Sequence, residues 1–127
     1  MNFKNFENLL DLFFFKYQSQ EKKNIFLQSL SGKKSSFSWE ETFLSIKKFS
    51  DLIKKNSSKG QRCLLISENR PEWFISDVGI QAIGAVSVGL YPTNPRTQWR
   101  LYLLVVRSYM HARTTVLQKP HRYKQMA

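Results

Sequence analysis

The stretch from 62 to 90 constrains the fold more than any other part of the chain. Arg62-Cys63-Leu64-Leu65-Ile66 is an almost unbroken apolar run, the pattern of a strand buried on both faces of a parallel sheet. Ser67-Glu68-Asn69-Arg70 reads as a loop, and Pro71 suits the first turn of a helix, where its missing N–H costs nothing. Ile75, Val78 and Ala82 then recur at three- and four-residue steps, which predicts the buried face of that helix. Gly84 is placed to stop it, and Ala85-Val86-Ser87-Val88-Gly89-Leu90 follows as a second strand. Strand, helix and strand in this order make a βαβ unit, with parallel strands and a right-handed crossover. A lone unit of this kind exposes two strand edges and leaves both sheet faces partly uncovered. The sequence therefore predicts part of a larger α/β domain.

The residues before it supply helices and a hairpin. Phe3, Phe6, Leu10, Phe13, Phe14 and Tyr17 lie mostly three or four apart, which predicts an amphipathic helix ending near Gln20. Ile25-Phe26-Leu27 reads as a strand, Ser31-Gly32-Lys33-Lys34 as a turn and Ser36-Phe37 as the return strand. Ser38 and Glu41 have the spacing of a capping box at the start of a helix. Phe43, Ile46, Phe49 and Ile53 form its buried stripe. Lys47, Lys48, Lys54 and Lys55 lie around the other side and toward its C-terminal end, where cations suit the helix dipole. Lys4, Glu7, Asp11 and Lys16 interrupt the first stretch, so it has neither signal-peptide nor transit-peptide character. No apolar run is long enough to span a bilayer. With a single cysteine, Cys63, the expected setting is reducing and cytoplasmic, with peripheral contact to a membrane as an addition. Asn56-Ser57-Ser58 matches a glycosylation acceptor and carries no weight without a secretory signal.

Charge divides the chain at one point. Residues 1–95 hold thirteen basic and nine acidic residues, a net of +4, whereas residues 96–127 hold seven basic residues and no acid. All ten phenylalanines precede the division, and the last isoleucine is Ile83. Both histidines, His111 and His121, follow it. Two readings of 96–127 stand side by side. One is a basic tail for nucleic acid or an anionic membrane. The other is a shifted reading frame, which changes every residue preference at one point.

Three blocks carry a family resemblance. Phe37-Ser38-Trp39-Glu40-Glu41 opens the second helix, Glu68-Asn69-Arg70-Pro71-Glu72-Trp73 turns into the third, and Ala82-Ile83-Gly84-Ala85-Val86 leads through Leu90-Tyr91-Pro92-Thr93-Asn94-Pro95. Together, in this order and at this spacing, they resemble the N-terminus of AMP-dependent synthetases of the adenylate-forming superfamily, with long-chain fatty-acid–CoA ligases as the nearest branch. The family usually has proline where this chain has Gly89, a substitution expected to be tolerated at a strand end. The resemblance implies a partial N-terminal subdomain of an adenylate-forming enzyme over 1–95, and a largely unalignable, non-family basic tail over 96–127. It implies a parent activity that joins a fatty acid to AMP and passes the acyl group to coenzyme A. ATP, Mg²⁺ and coenzyme A are the ligands of that parent family.

The chemistry of such a ligase needs a Ser/Thr/Gly-rich loop whose backbone N–H groups cradle a triphosphate. The five glycines, Gly32, Gly60, Gly79, Gly84 and Gly89, are scattered, and the one Gly-Lys pair, Gly32-Lys33, sits in the hairpin turn. The remaining machinery of the family lies far downstream of the matched blocks. No catalytic, cofactor-binding or metal residue is therefore carried over, no cofactor is assigned to these residues, and the chain alone is expected to be inactive. Each remaining candidate has a plainer reading. Cys63 is a buried structural thiol among leucines. His111 and His121 have no acid or cysteine nearby for a metal. Glu72 and Asp77 are solvated helix residues, Glu40 and Glu41 belong to a helix start, and Arg70 fixes a turn. Phe13-Phe14-Phe15 packs into a core, with contact to lipid as the other reading. The alternative function is a small basic binding protein. It sets Arg96, Arg100, Arg107, Arg113, Lys119, Arg122 and Lys124 on phosphates and stacks Trp99, Tyr102 and Tyr109 on bases.

Overall fold

The structure is a computed structural model and describes residues 6–29, 36–93, 95, 96, 100 and 115–118. In chain order these form helix α1 (Leu9–Ser19), strands β1 (Ile25–Gln28) and β2 (Ser36–Ser38), helix α2 (Trp39–Ile53), strand β3 (Arg62–Ile66), helix α3 (Pro71–Ala82), and strands β4 (Val86–Leu90) and β5 (Thr115–Gln118). β1 and β2 make an antiparallel pair. β3 lies at the centre of a parallel sheet ordered β4-β3-β5, with Leu64 opposite Val88 on one side and Val116 on the other. The βαβ unit is present as predicted. One of its two edges is taken by a strand from the basic tail.

β3 is buried on both faces, as its unbroken apolar run requires. Cys63 and Leu65 join Ile53, Ile80 and Ala85 on the side toward the helices. Leu64 and Ile66 turn the other way and cluster with Leu90 and Val88. The period-two alternation of a strand thus divides one short run between two apolar clusters. Gly60 and Gly84, at φ 80° and 75°, occupy the left-handed region that side chains avoid. The Gly60 N–H donates to the Gly84 carbonyl at 2.8 Å, which joins the lead-in to β3 to the end of α3.

α1 begins at Leu9, later than the aromatic spacing from Phe3 predicts. The Asn8 side chain accepts from the Asp11 N–H at 2.9 Å, and this cap fixes the helix start. Phe6 precedes the helix and rests its ring 5.2 Å from that of Phe15. The capping box of α2 closes in both directions: Glu41 N–H donates to Ser38 Oγ at 3.1 Å, and Ser38 N–H donates to Glu41 Oε2 at 2.9 Å. Ile46 and Ile53 are buried along the predicted stripe, and so are two polar residues that hydrophobic spacing does not find, Thr42 and Ser50. Thr42 Oγ1 donates to Ser38 O at 2.7 Å, and Ser50 Oγ donates to Gly79 O at 3.0 Å, so neither hydroxyl is stranded. α2 stops at Ile53, so Lys54 serves as its cap and Lys55 falls beyond the last turn.

α3 corrects the predicted stripe. Ile75, Val78, Gly79 and Ile80 are buried, whereas Ala82 is exposed. The helix is packed on two sides at once. Ile80 faces the β3 cluster, while Ile75 and Val78 face the aromatic layer. A helix held between two layers buries a wider arc than one amphipathic stripe, and Ala82 lies outside that arc. Gly79 permits the close approach of α2: a Cβ there would stand 2.7 Å from Phe49 Cδ1.

The aromatic layer gathers residues from α1, the hairpin, α2 and α3 around Phe13, which is 5% exposed. Its ring lies 5.8 Å from Phe26, 5.9 Å from Trp39 and 6.0 Å from Phe74, and Phe26 stacks on Trp39 at 3.9 Å. Phe13 belongs to the core, as its plainer reading holds, and Phe14 is half-buried there. Phe15 points outward.

Candidate functional site

Open parallel sheets present their loops for ligands at the carboxyl ends of the strands. Here that edge is formed by the residues after β3 and β4. The Ser67 N–H donates to the Leu90 carbonyl at 3.3 Å and ties the two strand ends together. Ser67 Oγ donates to the Glu68 carbonyl at 3.0 Å. Arg70 occupies the cap position of α3 and its carbonyl accepts from the Trp73 N–H at 2.9 Å, closing the first turn. Its guanidinium Nε lies 3.5 Å from Glu72 Oε2. Arg70 therefore closes the turn through its backbone, while its side chain stands beside Glu72 and its buried Nε makes no hydrogen bond among the described residues.

The two carboxylates at issue have separate duties. Glu72 stands against Arg70. Asp77 accepts from Gln81 Nε2 at 3.0 Å through one oxygen and from the Ser87 hydroxyl through the other. This corrects the reading of Asp77 as a solvated helix residue: it is part-buried and clamps α3 to β4. The partner Ser87 is ten residues away and on a strand, so helix spacing carries no signal of it. Glu40 and Glu41 are exposed in the first turn of α2, as read. Cys63 is fully buried, with Sγ 3.6 Å from Ser57 Oγ, so its thiol is packed away from any ligand.

Trp73 lies over Gly89. A Cβ at position 89 would meet its Cζ2 at 3.1 Å, so the glycine is the residue that fits under this ring. Gly89 lies one residue inside the end of β4, consistent with a strand-end substitution. Among the described residues no three His, Cys, Asp or Glu side chains come together as metal ligands. Among the described residues at the strand ends, the Arg70 guanidinium stands 3.5 Å from Glu72, and its buried Nε makes no hydrogen bond. No step of an adenylation is assigned to these residues. Arg96 and Arg100 are exposed. Gly32, Lys33, Trp99, Tyr102, Arg107, Tyr109, His111, Arg113, Lys119, His121, Arg122 and Lys124 lie outside the described residues.

The architecture is that of the N-terminal subdomain of adenylate-forming enzymes. The chain superposes on the N-terminal subdomain of Klebsiella oxytoca NpsA with a TM-score of 0.68 at 19% identity, covering 92% of this chain and 29% of that one. It superposes on a fatty acid AMP ligase from Legionella pneumophila with a TM-score of 0.66 at 15% identity, covering 83% and 19%. For VinN, in a complex with L-aspartate, the TM-score is 0.67 at 12% identity, with 87% and 35% covered. At these identities the likeness is one of fold. The chain thus spans about a third or less of the length of these proteins. No curated protein sequence matches it significantly.

The model of the AMP-binding enzyme family matches residues 14–110, and the chain belongs to that family. The match runs past Pro95, where the quoted motifs end, and takes in the first part of the basic segment. Residues 111–127 lie beyond it.

Proposed function

We propose that this chain is the opening segment of an adenylate-forming ligase whose acid is a fatty acid and whose acyl acceptor is coenzyme A. In such an enzyme a carboxylate oxygen attacks the α-phosphorus of ATP, pyrophosphate leaves, and the thiolate of coenzyme A then displaces AMP from the acyl carbon. The segment serves that reaction as scaffold. α3 is clamped to β4 by Asp77 and to α2 by Ser50, and the strand ends are joined through Ser67. Asp77, Ser87, Ser50 and Ser67 are all engaged in holding elements of the fold together.

The observation that carries the reading is the family match over 14–110. The fatty acid rests on the motif blocks around Trp39, Pro71 and Tyr91. Proteins of the same fold are described with different ligands, L-aspartate in one and an acyl adenylate in another, so the fold alone does not choose the acid and the motifs support it.

A chimera tests it. Residues 1–110 replace the corresponding segment of an active long-chain fatty-acid–CoA ligase, and palmitate-dependent release of pyrophosphate is measured. Activity within about tenfold of the parent is expected, since the exchanged part touches no reacting atom. A folded chimera that adenylates a short or aromatic acid but no long-chain acid would show that the segment shapes the acid site, against the scaffold role. A folded chimera with no adenylation at all would overturn the scaffold role.

A further inference from the structure

The outward face of α2 sets exposed leucines among lysines. Leu44, Lys48, Leu52 and Lys55 follow one another at steps of four, four and three, so they lie along one line of the helix and its extension. Leu44 is 46% exposed and Leu52 is 59% exposed, while Thr42, Ile46, Ser50 and Ile53 fill the inward side. Lys47, Lys48, Lys54 and Lys55 are all exposed around the two leucines. Between 44 and 59 five lysines stand against one acid, Asp51, which pairs with Lys54 at 3.5 Å.

We propose that this face docks on an anionic lipid bilayer, with Leu44 and Leu52 entering the headgroup layer and the lysines meeting lipid phosphates. A helix with aliphatic side chains flanked by lysines lies in a membrane interface, where the long stems reach sideways and keep the ammonium groups at the phosphates. No helix among the described residues is long and apolar enough to cross a membrane, so the contact is one of surface. The charge of the face also chooses its occupant. A further protein layer placed here would bury four or five lysines with one carboxylate to meet them, an arrangement that protein interiors avoid. Single-stranded nucleic acid takes aromatic platforms for its bases, and the apolar residues of this face are leucines.

The test is flotation of the 127-residue chain with vesicles of equal parts phosphatidylglycerol and phosphatidylcholine, and with vesicles of phosphatidylcholine alone. Three variants accompany it: Lys47→Ser/Lys48→Ser/Lys55→Ser, Leu44→Ser/Leu52→Ser, and Lys119→Ser/Arg122→Ser/Lys124→Ser, which removes as many charges from the far end of the chain. All the substituted α2 residues are exposed, and circular dichroism checks that the helices persist. Preference for the anionic vesicles is expected in the parent. Each lysine near such a surface is worth roughly fivefold, so the α2 lysine variant is expected to lose on the order of a hundredfold in partitioning. The leucine variant is expected to lose roughly tenfold, and the tail variant less than either. Equal binding to both vesicles by the parent, α2 variants that partition like the parent, or a loss in the tail variant as large as that in α2 would each overturn the proposal. Retention of vesicle binding in the α2 lysine variant together with loss of binding to a thymidine oligonucleotide would assign the face to nucleic acid instead.

Discussion

The two sides of α3 are built by different rules. Toward the sheet, Ile80 meets Cys63, Leu65, Ala85 and Ile53, small and aliphatic residues of the βαβ unit and the end of α2. Toward the other side, Ile75 and Val78 meet a layer whose centre is Phe13 and whose rings come from four separate segments. The first side is assembled by strand alternation and one short crossover. The second depends on α1, the hairpin, α2 and α3 meeting in one place. The difference teaches where the sequence speaks plainly: local period determines the sheet side, and long-range aromatic convergence determines the other.

The largest effects should come from the centres of the two layers. Phe13→Ala is expected to cost about 3–5 kcal/mol and Ile80→Ala about 2–5 kcal/mol in chemical denaturation of the full chain. If the layers are independent, the double variant should equal the sum of the singles to within about 0.5 kcal/mol. Within the aromatic layer, a Phe13–Phe26 cycle should instead show coupling of about 0.5–1.5 kcal/mol. Coupling between Phe13 and Ile80 as large as that within the layer would erase the distinction drawn here.

Gly79 lies at the seam of α2 and α3 and should show a smaller, opposed effect. In Gly79→Ala the new Cβ presses on Phe49, an overpacking cost of about 1–3 kcal/mol, offset by a gain in helix propensity of up to about 1 kcal/mol. A net stabilisation would show that Phe49 moves freely and that the seam is loose. Ser38→Ala removes one direction of the capping box and should cost about 1 kcal/mol, whichever layer dominates. Last, Asp51→Asn breaks an exposed pair with Lys54 and should change stability by less than about 0.5 kcal/mol. A larger loss there would mean that α2 is held from outside.

Much of this was readable beforehand, for reasons that can be named. Ser38 and Glu41, Pro71, Gly84 and the run Arg62 to Ile66 each act through neighbours within a few residues, and each stands where its chemistry predicts. The hairpin strands were legible from apolar content on either side of a turn signal. Missed features depend on distance in the chain. Asp77 finds Ser87 on a strand, Ser50 finds the Gly79 carbonyl across a helix pair, and Ala82 loses its place in the core because α3 has two buried sides. Strand β5 has little local signal because charge dominates the segment around it, yet its backbone registers against Cys63 to Ile66. In the candidate site, Pro71 marks the turn at Arg70, whose backbone carbonyl accepts from the Trp73 N–H. The clamp at Asp77 had no local signal at all.

Both layers serve the proposed role of scaffold, in which the described residues hold a fold. The proposal follows from the scattered glycines of the sequence, which predict no cradle for a triphosphate. The most direct measurement is fatty-acid-dependent ATP–pyrophosphate exchange by the purified 127-residue chain, with palmitate and Mg²⁺ present. Exchange at the level of a no-palmitate control is expected. Exchange that rises with palmitate and survives repurification would contradict the account, because it would place an adenylation site among residues assigned here to scaffold alone.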